Sequence, residues 1–165
     1  MLQKLKDLIM LGTVSGLLAG LPGRILNEIE FKKGLTDLNY PQMASTLLME
    51  KKDVASGEGV AAGNLLNSML LCMAGIATAY TLTRTGKDFR QLKGIGIAYL
   101  YGILLGGVMP AVGLVKKPEK KRSFTLSLID HTLLGLLCAE LTARLGDENL
   151  FKGPDGETEN KAGTR

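Results

Sequence analysis

Six side chains set into otherwise apolar stretches carry whatever chemistry this chain performs: Arg24 and Glu28, Asn64 and Asn67, Asp130 and His131. Arg24 and Glu28 are four residues apart, which makes them neighbours on one face of a helix. An ionisable group inside a bilayer costs roughly 3 kcal/mol at the helix centre, so such groups turn toward other helices, pair, and commonly mark a pathway. Two readings follow. In one, Glu28, Asp130 and His131 relay protons while Arg24 tunes them or binds an anion, His131 being the side chain that titrates closest to neutral pH. In the other, Arg24 pairs with Asp130, the asparagines bridge helices, and the network only fixes the fold. The structural role takes precedence here, because polar side chains commonly hold small membrane bundles together.

Other chemistries find little support. No nucleophile–base pattern stands out, and GKDFRQLKGIG lacks the spacing of a phosphate-binding loop. Enzymatic activity and a cofactor are therefore not expected. Cys72 and Cys138 form no CxxC pair, and one histidine without a second argues against a metal site; both thiols are read as small packing residues. His131, Gly135, Cys138 and Thr142 fall on one helical stripe, which is a packing face before it is a ligand set. A net charge of +4 raises nucleic acid as a partner. That would require a basic stripe with interleaved aromatics, whereas the basic residues here flank apolar runs, as in membrane proteins.

Those runs must position the polar residues. Gly59–Thr83 is 25 residues without a charge and Gly94–Val115 is 22. Either can cross the hydrocarbon core, which takes about 20 helical residues. RTGKDFRQLK between them is short enough for a tight hairpin. Two further spans complete the set, one over about 8–29 and one over about 123–145, so the spacing predicts an all-α integral membrane four-helix bundle over residues 1–146. A polar, glycine-rich tail, 147–165, is expected to be disordered. The lipid bilayer is the first partner; a second copy of the chain or another membrane protein is the next.

Small residues supply the packing surfaces. Gly12, Gly16 and Gly20 recur every four residues in the first span, and Ala98, Gly102 and Gly106 repeat the pattern in the third. Such ladders let helix backbones approach closely. Pro22 and Pro110 each remove a backbone donor and are expected to kink their helices. In the first loop, PQMASTLLMEKKD places Pro41 at a first helical position and Met43, Leu47 and Leu48 on one side. This predicts a short amphipathic helix, lying in the membrane interface or on the surface.

Depth arithmetic gathers the polar residues. Alternate spans run in opposite directions, so the end of span one (Arg24, Glu28), the start of span two (Asn64, Asn67), the start of span four (Asp130, His131) and Pro110 all fall near one interface. At 1.5 Å per residue the group lies within roughly 10 Å of it. Glu140 and Arg144, again four apart, lie toward the opposite interface near Arg84 as an expected capping ion pair. Orientation stays open. Eight basic residues accompany the end that carries Lys4, Arg84 and Arg144, and nine accompany the end that carries Lys32, Lys51 and Lys116.

GTVSGLLAGLPGRILNE, the long first loop, the asparagine-bearing second span and DHTLLGLLCAELTARL together resemble YagU/YqhR-type small bacterial inner-membrane proteins. The resemblance covers about residues 8–146. It implies four spans in a bacterial cytoplasmic membrane with both termini in the cytoplasm, and it carries no assigned reaction. The basic KKPEKKR loop departs from that orientation. The leading expectation is a non-enzymatic scaffold or accessory subunit that binds a partner through exposed glycine faces. The alternative is a small proton- or ion-coupled transporter or channel built on Arg24, Glu28, Asp130 and His131.

Overall fold

The computed structural model describes residues 4–50, 52–115 and 117–151. Helix α1 spans Leu8–Lys32, α2 Tyr40–Ser45 and α3 Gly57–Thr85. Helix α4 begins at Arg90, passes through a π-helical stretch at Leu104–Val108, and ends with the turn Met109–Ala111. Helix α5 covers Lys121–Leu145, and a 3-10 turn follows at Glu148–Phe151. Four of these helices are long and apolar enough to cross a bilayer. They make the chain an all-helical bundle of the multi-pass membrane type, with a short helix in the first loop.

Local chemistry sets the ends. The side chains of Asp7, Asn39 and Ser56 each accept a hydrogen bond from a first-turn amide, capping α1, α2 and α3. The tight hairpin between α3 and α4 turns at Gly86, with φ +76°, and Phe89, with φ +50°. Both residues sit in the left-handed region, and glycine adopts it at no steric cost. Helix α1 continues through Pro22 as one element, so the proline does not end it.

The bundle is lined with small residues and faced with large ones. Leu17, Leu21, Ile25, Leu65, Met73, Leu100, Ile103 and Phe124 are exposed, whereas Ala19, Ala79, Ala98, Ala139, Ser15 and Thr142 are buried. An apolar exterior of this extent calls for lipid around it.

Two crossings hold the helices together. A methyl on Gly12 or Gly16 would collide with the α3 backbone at Ile76 or Leu71, and Gly20 receives the Leu71 side chain. The first glycine ladder therefore seats α3 directly on α1. Gly94 and Gly135 bring α4 and α5 together, each facing the other's carbonyl, and Ala98 is buried along the same crossing. Gly102 meets the ring of His131. Gly106 meets nothing within 4 Å, so the expected third rung makes no helix contact, and Gly94 starts the ladder instead. The π-helical stretch from Leu104 explains this. It adds a residue to the turn and rotates Gly106 off the four-residue repeat.

The two ends differ in character. At one, the amide of Leu5 donates to the Leu145 carbonyl (2.8 Å) and that of Asp147 to the Leu5 carbonyl (2.9 Å), tying the start of the chain to the end of α5. Phe151 is buried against Leu11, Ala79, Leu82 and Ala139, with the Lys87 ammonium 4.3 Å from its ring centroid. Residues 147–151, expected to be disordered, are thus folded onto the bundle; residues 152–165 lie outside the described residues. Arg90 (2.9 Å) and Arg144 (2.6 Å) both donate to Glu140 at this end, making the expected pair a triad.

Candidate functional site

The other end holds the site. Its first loop is fastened by three side chains. Asn27, buried on α1, donates to the Leu38 carbonyl and accepts from the Tyr40 amide, both at 3.1 Å. Ser123 on α5 accepts from the Thr36 hydroxyl (3.0 Å) and the Asp37 amide (3.1 Å), and donates to the Asp37 carboxylate. Asp37 also accepts from the amide of Glu119 at 2.6 Å and, more weakly, from that of Lys120. Lys120, the N-cap of α5, makes no side-chain cap, so Asp37 supplies one from a distant loop. Burial pushes the Asp37 carboxyl up, but the hydrogen bonds from Ser123 and the two amides outweigh it and hold it below the ordinary value.

So fastened, α2 lies against α3, where a methyl on Gly63 would collide with the Pro41 carbonyl. Pro41 takes the early helical position expected of it; the helix is only six residues long, and Met43 on it and Leu47 in the turn after it line the cavity beneath. It is the short loop helix expected, seated as a plug between helices. Leu48 alone of the expected apolar side faces outward.

Beneath α2 lies a cavity of about 90 Å³. Its walls are largely leucine and methionine, and its polar groups come from four helices: Arg24, Asn67, Tyr101, Ser127, Asp130 and His131, with Tyr40 from the plug. Five of the six expected site residues thus gather at this end, since Asn64 accepts a hydrogen bond from Arg24. Glu28 does not join them. It faces outward and pairs with Lys32 at 2.7 Å, one turn further along.

The pairing inside the cavity differs from the expected one. Arg24 makes no ion pair with Asp130; its guanidinium is turned to Asn64 on α3. Asp130, only 4% exposed, accepts from the Tyr40 hydroxyl at 2.7 Å through Oδ2, while Oδ1 is buried with no hydrogen-bond partner. Burial and the neighbouring carboxylate push the Tyr40 phenol well above its usual range, which keeps it a donor. His131 places Nδ1 2.6 Å from the Ser127 carbonyl. A carbonyl can only accept, so Nδ1 carries the proton and Nε2 of the neutral ring is left as an acceptor. The ring is held by Tyr40 edge-on at 6.2 Å and by Tyr101 at 6.0 Å.

Glu30 belongs to the same neighbourhood. It acts electrostatically on both Asp130 and Tyr40, and its Oε2 is also buried without a partner. Glu30, Asn27, Tyr40, Tyr101 and Ser127 are not among the residues expected from the sequence. The one signal available was Tyr40-Pro41 as a helix start, which placed a phenol at the entry of the loop helix without showing where that helix would dock. Pro110 sits in the last turn of α4 beside the cavity-lining Met109.

Chemically, the arrangement places a cation, Arg24, and a buried carboxylate, Asp130, in the lining of one largely apolar cavity. Comparison with family models, curated proteins and solved structures returned no match.

Proposed function

We propose that the chain is a small coupled transporter whose working part is the cavity beneath α2. The observation that carries this reading is the buried carboxylate of Asp130, a residue of the cavity lining, one oxygen of which has no hydrogen-bond partner. An unpaired buried acceptor costs roughly 1–3 kcal/mol and a charged one more, so the Asp130 carboxylate oxygen is costlier than the Ser15 and Thr142 hydroxyls that also lack partners. Here the cation that could neutralise Asp130 is turned to Asn64 instead. The scaffold reading relied on exposed glycine faces, and Gly12, Gly16 and Gly20 are occupied by α3. Asp130 is the coupling group, Tyr40 and His131 frame it, and Glu28 lies outside the machinery.

The π-helical stretch of α4 borders the cavity through Leu105 and Gly106. Single-turn π-helical stretches within α-helices recur at functional sites. In a bacterial cytoplasmic membrane with both termini inside, the orientation the resemblance implies, the cavity end faces outward.

The test is electrical. Proteoliposomes on a solid-supported membrane are challenged with pools of inorganic cations, amines, carboxylates, sugars and amino acids across a pH step. The wild-type protein gives a transient current with at least one pool, Asp130→Asn abolishes it, and Glu28→Gln retains it. Silence with every pool, from protein that is folded by circular dichroism, overturns the proposal.

A further inference from the structure

We infer that the cavity opens sideways into the bilayer at Gly106 and seats the acyl chain of a membrane lipid there; this goes beyond the transporter reading and does not depend on it. Most of the cavity's walls are closed. Leu38, Ala44 and Val115, all buried, come from α2 and the loops, and the buried Leu134 comes from α5. Among the described residues that line the cavity, Gly106 alone is exposed. The mouth is therefore on α4, in the π-helical stretch.

Helix packing explains why an opening lies on that side. Helix α3 seats on α1 and α4 on α5, each through glycines, whereas α3 and α4 share much less contact with each other. Gly106 is not in the left-handed region, and an added Cβ there would meet nothing within 4 Å. Neither a turn nor a close crossing requires glycine at this position; its missing side chain leaves the mouth clear. Depth identifies what lies outside. Gly106 precedes the end of α4 at Ala111 by about 7.5 Å. Ile103, Leu104 and Val108 around it are exposed, as are Val112 and Leu114 beyond it. A mouth ringed by exposed apolar side chains, on a helix long enough to cross a bilayer, meets hydrocarbon and not water.

The walls behind the mouth suit a chain. Leu70 and Leu71 of α3 face Leu105 and Met109 of α4 across it. The polar groups of the lining are largely engaged: Arg24 with Asn64, Tyr40 with Asp130, and His131 with Ser127. Water fits such walls poorly, because each buried molecule needs two to four polar partners. The cavity, about 90 Å³, equals roughly three waters' share of the liquid, and a methylene is of similar size. A chain therefore places a few carbons inside and lays the rest along the outer face of α4. Filling a space of this volume is favoured roughly 40-fold over leaving it void. Seated there, the chain completes the wall between α3 and α4 and separates the polar side of the cavity from the bilayer.

Photolabelling from within the membrane tests the inference. The full-length protein is reconstituted into phosphatidylethanolamine–phosphatidylglycerol vesicles doped with a phosphatidylcholine whose acyl chain carries a diazirine. The diazirine lies near the carboxyl end of the chain in one preparation and near the methyl end in another. After irradiation, adducts are located by peptide mass spectrometry. Leu17 and Phe124, exposed on the outer face, report ordinary lipid contact. Leu134 and Val115, buried in the lining, are reached only from inside the cavity. The wild-type protein is expected to carry adducts at both kinds of position with at least one of the two lipids. Gly106→Phe fills the mouth and is expected to lose the interior adducts while keeping the outer ones. Gly107→Phe carries the same ring one residue on, at an exposed position outside the lining, and is expected to keep both. Should Gly106→Phe not fold, Gly106→Leu carries the same expectation. Interior adducts that are absent from the wild type, persist with the mouth filled, or vanish equally in Gly107→Phe overturn the inference. Silent currents leave a positive result standing, and a negative result leaves the currents to decide transport.

Discussion

Gly75 is where a single methyl should cost the most. A Cβ at this position would lie 2.7 Å from both Cα and N of Gly16 and would overlap the Gly12 carbonyl. Ordinary contact begins near 3.4 Å, so Gly75→Ala forces α1 and α3 apart by roughly 0.7 Å at Gly16 and by more at the Gly12 carbonyl. The obstacles are backbone atoms, which cannot rotate away. A gap of that size forfeits about a quarter to a half of each facing contact, and overpacking of this kind costs roughly 1–3 kcal/mol. Alanine returns about 0.5–1 kcal/mol through its better helix propensity. The net expectation is a loss of about 1–2 kcal/mol. Equilibrium unfolding by sodium dodecyl sulfate in mixed micelles, followed by circular dichroism, reads it. The control is Gly96→Ala, where an added Cβ meets nothing within 4 Å; there the propensity gain stands alone and the sign reverses. Equal stability of Gly75→Ala and wild type would refute the close α1–α3 crossing.

Two further outcomes follow. Asp37, held below its ordinary value by hydrogen bonds, stabilises the fold above the unfolded pKa near 3.8 and loses that contribution as pH falls through the folded value. Thermal midpoints should therefore drop on acidification below pH 3.8, and Asp37→Asn should lose that part of the drop; an unchanged acid profile in the variant would count against the trans cap on α5. Phe151→Ala removes a buried ring from the opposite end and should cost about 3 kcal/mol, measured by the same micelle titration. A cost below about 0.5 kcal/mol would mean that the turn at Glu148–Phe151 does not pack as described.

Much of this architecture could be read from the chain, and the reasons are specific. Charge-free runs of bilayer length leave a helix few alternatives, since lipid offers no partner for an open backbone. Opposite helix directions then placed Arg24, Asn67, Asp130 and His131 at one end, because rise per residue converts sequence position into depth. The partners were not legible. Depth says nothing about which way Arg24 turns, and Asn64 and Asp130 lay at similar levels. Glu28 shared a stripe with Arg24, but Lys32 stood one turn further on and took it outward. Tyr40 escaped because a loop carries no periodicity; its position depends on Asn27 and Ser123, which hold the chain from two other helices. Gly106 escaped because four-residue spacing assumes an α-helix, and α4 is π-helical there.

The same holds at the far end. Glu148–Phe151 lies in a stretch whose composition reads as solvated tail, and only the tertiary pocket formed by Leu11, Ala79, Leu82 and Ala139 gives Phe151 a place. Lys87 then covers its ring and pairs with Glu148 at 2.7 Å, holding that carboxyl below the usual range. The closed end is thus built from ion pairs and one aromatic anchor, and the cavity end around a buried carboxylate without an ion pair.

The most direct test of that contrast is chemical modification of the carboxylates. Dicyclohexylcarbodiimide, which enters bilayers and reacts with carboxyl groups in apolar surroundings, is applied to the reconstituted protein, and adducts are located by peptide mass spectrometry. The account predicts an adduct at Asp130, whose Oδ1 has no partner, and none at Glu140, both of whose oxygens are held by arginines. Asp130 left unmodified while Glu140 reacts would contradict it.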